Sequence, residues 1–127
     1  MGTHCHIAVN TKTHGIIGCY IHFDGYPSNM VPTLRTFLRK RTPSCLMMLI
    51  RRGQQAGGIH SFNPEGVDMS DGMWGPEAFN DEKFGYGVYY RYLIDMETGE
   101  LHAEYRRNGS SQDSWTQIKE NDWNEHD

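Results

Sequence analysis

Gly18-Cys19-Tyr20-Ile21-His22-Phe23-Asp24-Gly25-Tyr26-Pro27 is the segment whose reading decides the fold. Cys19, Ile21 and Phe23 alternate with Tyr20, His22 and Asp24, and a period of two marks a strand with one apolar and one polar face. Asp-Gly followed by an aromatic residue and Pro predicts a tight turn. Gly tolerates positive φ, and Pro fixes its own φ and cannot donate to a ladder. The segment also sets a tyrosine hydroxyl, an imidazole and a carboxylate in a row on one face of a rigid element, beside a turn tyrosine. Tyr20, His22, Asp24 and Tyr26 are therefore the first candidate ligand-binding residues. Asp24 has a second reading, because its carboxylate can brace the Asp-Gly turn through the local backbone.

Upstream, residues 3–9 alternate in the same way, with Cys5, Ile7 and Val9 against His4, His6 and Ala8. A polar loop over residues 10–15 ends in Gly15, so residues 3–9 and 16–23 read as a β-hairpin. Placing His6 opposite Tyr20 and His4 opposite His22 keeps both faces consistent. Burial of Cys5, Ile7, Cys19, Ile21 and Phe23 follows. Downstream, Ser28 or Asn29 caps a helix with Pro32 in its first turn, and Met30 or Val31, Leu34, Phe37 and Leu38 form its apolar stripe. Arg35, Arg39 and Lys40 face outward. Thr42-Pro43 ends that helix, and a second one from Cys45 to Arg52 closes at Gly53.

Residues 53–84 are rich in turn pairs and form a long irregular segment, anchored by Trp74 and Phe79. The pattern then returns to strand over residues 86–95 and 101–107. A four-residue loop over residues 97–100 places Tyr92 opposite Tyr105 and Ile94 opposite Ala103. Residues 115–118 suit a short edge strand, and residues 119–127 a loosely held tail. The expectation is a single domain over residues 1–127 of the α+β class: an antiparallel sheet built from two β-hairpins, with two helices packed on one side.

The residues Tyr20, His22, Asp24, Gly25, Tyr26 and Pro27, with the first strand His4-Cys5-His6-Ile7-Ala8-Val9, resemble a family of small, mostly uncharacterised tailed-phage proteins. In that family a strand near the N-terminus ends in His, Trp, Asp, Gly, Tyr and Pro and leads into a helix. Phe23 stands where the family has Trp, and Ser28-Asn29 replaces its acidic-Gly pair. Beyond about Arg41 only the order of elements is shared. The resemblance implies a phage accessory protein, and by analogy a counter-defence role in the host cytoplasm.

Charge is uneven along the chain. Residues 1–60 hold seven Lys/Arg against one acid, and residues 61–127 hold five against fifteen. The basic half suits an anionic ligand; a solvated helix face paired with the acidic half is the alternative. No apolar run approaches the ~20 residues of a membrane span, and the three cysteines lack zinc-knuckle or disulfide-framework spacing. No cofactor is therefore expected.

Four chemistries compete. His4, His6, His22 and Asp24 would suit a divalent metal if they converged. His22 with Asp24 would suit a base and its orienter in a hydrolase, but no nucleophile elbow, phosphate loop or HExxH helix accompanies them. Tyr20, Tyr26, Tyr89 and Trp74 offer stacking surfaces, Arg91, Arg106 and Arg107 or the basic residues of the two helices offer phosphate contacts, and His22 and Asp24 offer polar ones. A small acidic domain also suits direct inhibition of a host defence protein. The favoured expectation is capture of a small nucleotide or other phosphorylated ligand without turnover, through Tyr20, His22, Asp24, Tyr26, Tyr89, Arg91 and Arg106. Self-association is left open.

Overall fold

A computed structural model describes residues 3–13, 15–55, 59–61, 84–106 and 115–119. The elements follow the order β1 (Cys5–Asn10), β2 (Ile16–Phe23), α1 (Pro27–Lys40), α2 (Pro43–Gln55), β3 (Ile59–Ser61), β4 (Tyr90–Asp95), β5 (Leu101–Tyr105) and β6 (Thr116–Gln117). Trp74, Phe79, Arg107 and nearly all of the expected tail lie outside the described residues. Among the described residues no helix is long and apolar enough to cross a membrane.

The chain is α+β, but its sheet is mixed. Six strands run in the order β3-β2-β1-β4-β5-β6. β1 pairs antiparallel with β2, and β4 with β5, while β1 and β4 lie parallel at the centre and β3 lies parallel to β2. The antiparallel expectation is thereby corrected. Alternation within a strand fixes which face is buried, but not which edges of two strand pairs meet or in which direction. The span read as irregular also contains structure: α2 runs past Gly53 to Gln55, and β3 follows it.

His6 does pair with Tyr20. In the second strand pair, however, Tyr92 lies opposite Ala103 and Ile94 opposite Leu101, two residues from the expected register. The loop explains the slip. Asp95 Oδ1 accepts the amides of Glu97 (2.9 Å) and Thr98 (3.0 Å), Gly99 takes φ 74°, and the Asp95 amide donates to the Glu100 carbonyl at 2.9 Å. Met96 therefore enters the loop and Glu100 leaves it. A slip of two preserves the faces, so the expected apolar side survives.

One sheet face and both helices share the core. Cys5, Ile7, Val9, Cys19, Ile21, Tyr92 and Ile94 meet Met30, Leu34 and Phe37 of α1 and Leu46 and Ile50 of α2. Phe23 departs from expectation: it ends β2 beyond this layer and is 39 % exposed. Ala8 and His6, on the opposite face, are buried as well, so β1 is enclosed on both sides.

The Asp-Gly-Tyr-Pro corner is built by sterics. Asp24 takes φ 59°, a left-handed conformation that Asp tolerates better than most residues. A Cβ on Gly25 would lie 2.8 Å from both Cys5 Cβ and the Thr3 carbonyl oxygen, so only glycine fits there. Both Gly25 backbone groups are held: its amide donates to the Thr3 carbonyl at 2.8 Å, and its carbonyl accepts the Tyr92 hydroxyl at 2.7 Å. Tyr26, rather than Ser28 or Asn29, is the N-cap of α1, with no side-chain cap bond. Pro27 occupies the first helical position, where its fixed φ fits and its missing N–H costs little. This start places Pro32 in the second turn instead of the first.

Gly25→Ala is expected to destabilise by about 1–3 kcal/mol, because the new methyl group has no space. Tyr92→Phe should cost a similar ~1–3 kcal/mol by leaving the buried Gly25 carbonyl unpaired. Urea unfolding checks both; wild-type midpoints would show that the corner is not pinned in this way.

Candidate functional site

The seven candidate residues divide among three places. Tyr20 and His22 stand on the sheet face opposite the helices. The Tyr20 hydroxyl lies 2.9 Å from His22 Nδ1, and partial burial pushes the Tyr20 phenol upward in pKa. The His4 ring stacks on His22 with centroids 4.6 Å apart, and its Nδ1 donates to the His22 carbonyl at 2.6 Å. Asp24 and Tyr26 belong to the corner. Asp24 is exposed, its carbonyl accepts Asn29 Nδ2 at 2.7 Å, and half-buried Tyr26 packs against the core.

Arg91, Arg106 and Tyr89 form the third group, and their work is local. Arg91 Nε donates to Glu104 Oε1 at 2.9 Å and its Nη1 to the Phe84 carbonyl at 3.1 Å. Buried Arg106 donates through Nη2 to the Gly85 carbonyl at 2.6 Å and through Nε to the Val88 carbonyl at 3.3 Å. Both guanidinium groups lie over Trp115, at 4.3 and 4.4 Å from its ring centre. The Tyr89 carbonyl accepts the Arg106 amide at 3.0 Å. These arginines therefore clamp the turn at residues 84–89 and Trp115 onto the sheet.

His6 completes the clamp by accepting the Gly85 amide through Nδ1 at 2.8 Å, which puts its proton on Nε2 when the ring is neutral. Burial, reinforced by the Arg106 and Arg91 charges, lowers its pKa to about 4. The thiols are shielded too: burial raises Cys5 well above the usual range and pushes Cys19 up to about 12. Among the described residues no three His, Cys, Asp or Glu side chains converge as a metal site requires.

Sequence reasoning missed a groove on the helix side of the sheet. A cavity of about 730 Å³ lies between α1 and the β5–β6 edge. Val31, Leu38, Leu101, Ala103 and Ile118 give it apolar lining, Gly99 and Gln117 polar lining, and Arg35, Arg39 and Lys119 positive charge, while the Glu100 carboxylate at its rim lies 3.7 Å from His102 Nε2. The spacing of Arg35 and Arg39 next to the Val31–Leu38 stripe was visible in the sequence. The edge strand expected over residues 115–118 is present as β6 (Thr116–Gln117), but its place beside β5 and across from α1 was not visible, because two residues carry no pattern that names their partners.

His6 makes stability depend on pH. Its folded pKa lies below the unfolded value of ~6.5, so the neutral ring is favoured in the fold. That contribution is complete above pH ~6.5 and is lost as pH falls towards about 4. Replacement by Gln, whose side-chain oxygen can still accept from Gly85, should flatten the decline of unfolding free energy between those limits. An unchanged slope would contradict the assignment.

No protein-family model, no curated protein and no solved structure matches the chain.

Proposed function

We propose that this chain sequesters a small phosphorylated, nucleotide-like ligand, without turnover, in the groove between α1 and the β5–β6 edge. The observation that carries this reading is the lining, with Arg35, Arg39 and Lys119 beside apolar side chains. Charge-assisted hydrogen bonds to phosphate contribute roughly 1.5–3 kcal/mol each, and apolar lining accepts the face of a base or sugar. The volume falls within the range of small-molecule sites.

Binding without turnover is favoured by the state of the reactive groups. Cys5 and Cys19 are buried thiols with raised pKa. The Nδ1 atoms of His4, His6 and His22 all lie within hydrogen-bond distance of protein partners. The resemblance to tailed-phage proteins supplies a context, since removing a host signalling nucleotide from solution would serve counter-defence.

A second reading has its own observation. Tyr86 and Tyr89 are 71 % and 47 % exposed on a turn held by His6, Arg91 and Arg106. Rigid exposed tyrosines suit binding to a host defence protein, because little side-chain entropy is lost on contact.

Calorimetry against a nucleotide panel separates the two. Arg39→Ala should weaken the best ligand by roughly tenfold, about the worth of one charge-assisted bond. Affinity should also fall as salt rises. If no nucleotide binds more tightly than millimolar, and Tyr86→Ala abolishes stoichiometric recovery of a host protein, the second reading replaces the first.

A further inference from the structure

The groove carries cations on two sides. Arg35 and Arg39 lie one turn apart on α1, so their side chains leave the same stretch of one wall. Lys119 follows β6 on the opposite side, where the Ile118 amide, donating to the Ala103 carbonyl at 2.8 Å, holds the chain against β5. Between these walls the lining includes the apolar side chains of Val31, Leu101, Ala103 and Ile118. A phosphate placed against them would lose water without gaining a partner, which is costly for a charged group. Anionic groups are therefore favoured at the rims and an uncharged body between them.

From this we infer, resting on the reading of the groove as a nucleotide site, that the preferred ligand carries two phosphates separated by a nucleoside body, as in a dinucleotide. One phosphate faces Arg35 and Arg39, and the other faces Lys119. A mononucleotide engages one wall only. A further observation favours the larger class. The cavity of about 730 Å³ lies in the upper part of the range for small-molecule sites.

The test compares three probes by calorimetry at one salt concentration: adenosine monophosphate, inorganic triphosphate, and an adenylyl dinucleotide bearing a 5′-phosphate. The dinucleotide is expected to bind at least about tenfold more tightly than either of the others. Arg39→Ala should weaken the mononucleotide and the dinucleotide alike. Lys119→Ala should weaken only the dinucleotide and bring it near the mononucleotide. Lys119→Gln, which keeps the stem of the side chain, should behave as Lys119→Ala does, and thermal melts of each variant report any loss of fold separately from loss of a contact. Equal binding of mononucleotide and dinucleotide, or equal effects of Lys119→Ala on both, overturns the two-phosphate assignment and leaves a one-phosphate site standing. Tightest binding of triphosphate overturns it in favour of a general polyanion site. Absence of binding by all three probes overturns both this inference and the nucleotide reading on which it rests.

Discussion

The Tyr92 hydroxyl donating to the Gly25 carbonyl is the contact on which the arrangement depends. Tyr92 is fully buried in a central strand, 67 residues along the chain from its acceptor. A buried donor and a buried carbonyl each need a partner, so this pair fixes where the corner after β2 must lie. Gly25 adds a second constraint by approaching Cys5 so closely that no Cβ fits. Together they aim Pro27, and hence α1, across the sheet towards β5. Arg35 and Arg39 reach the groove only because the helix starts from that corner. The Asp-Gly-Tyr-Pro pattern is therefore accounted for by the demands of the fold, with Asp24 in a left-handed conformation, Gly25 without space, Tyr26 as N-cap and Pro27 opening the helix.

The opposite sheet face illustrates how an arginine can be occupied. Arg91 and Arg106 sit beside His6 and over Trp115, and their donors are directed at Glu104 and at the carbonyls of Phe84, Gly85 and Val88. Gly85 has no room for a Cβ against Trp115, which would lie 2.5 Å away. The clamp thus binds β4, β5 and the approach to β6 into one unit, and β6 in turn supplies the far wall of the groove. Stability on one face and recognition on the other are coupled through a strand of two residues.

Much of the first strand pair was legible in the sequence. Strict alternation in residues 5–9 and 16–22 predicted its core face, and the requirement that polar positions coincide predicted His6 opposite Tyr20. The parallel contact of β1 with β4 was not legible, because paired residues such as Cys5 and Tyr90 lie 85 positions apart and leave no local period. The register of β4 with β5 failed by two residues because Asp95 turns its carboxylate onto the loop amides, a choice that competes with one more ladder pair. Phe23 obeyed its period yet ended exposed, since a strand's last residue can outrun the helices that cover its neighbours. Of the candidate site, Tyr20 and His22 were correctly grouped on one face. Arg91 and Arg106 carried the right chemistry, but buried carbonyls nearby draw on their donors. The groove required β6 beside β5; a short edge strand was legible at residues 115–118, but two paired residues give too short a pattern to name its neighbours.

The most direct test of the account is an NMR titration of isotope-labelled protein with the phosphorylated adenylyl dinucleotide, followed by the ³¹P spectrum of the ligand. The account predicts saturable shifts at Arg35, Leu38, Leu101, Ile118 and Lys119, with Tyr20 and His22 little changed and the ligand's phosphorus signals intact after incubation. Shifts centred on Tyr20, His22 and Tyr89, or conversion of the ligand to new phosphorus species, would contradict it.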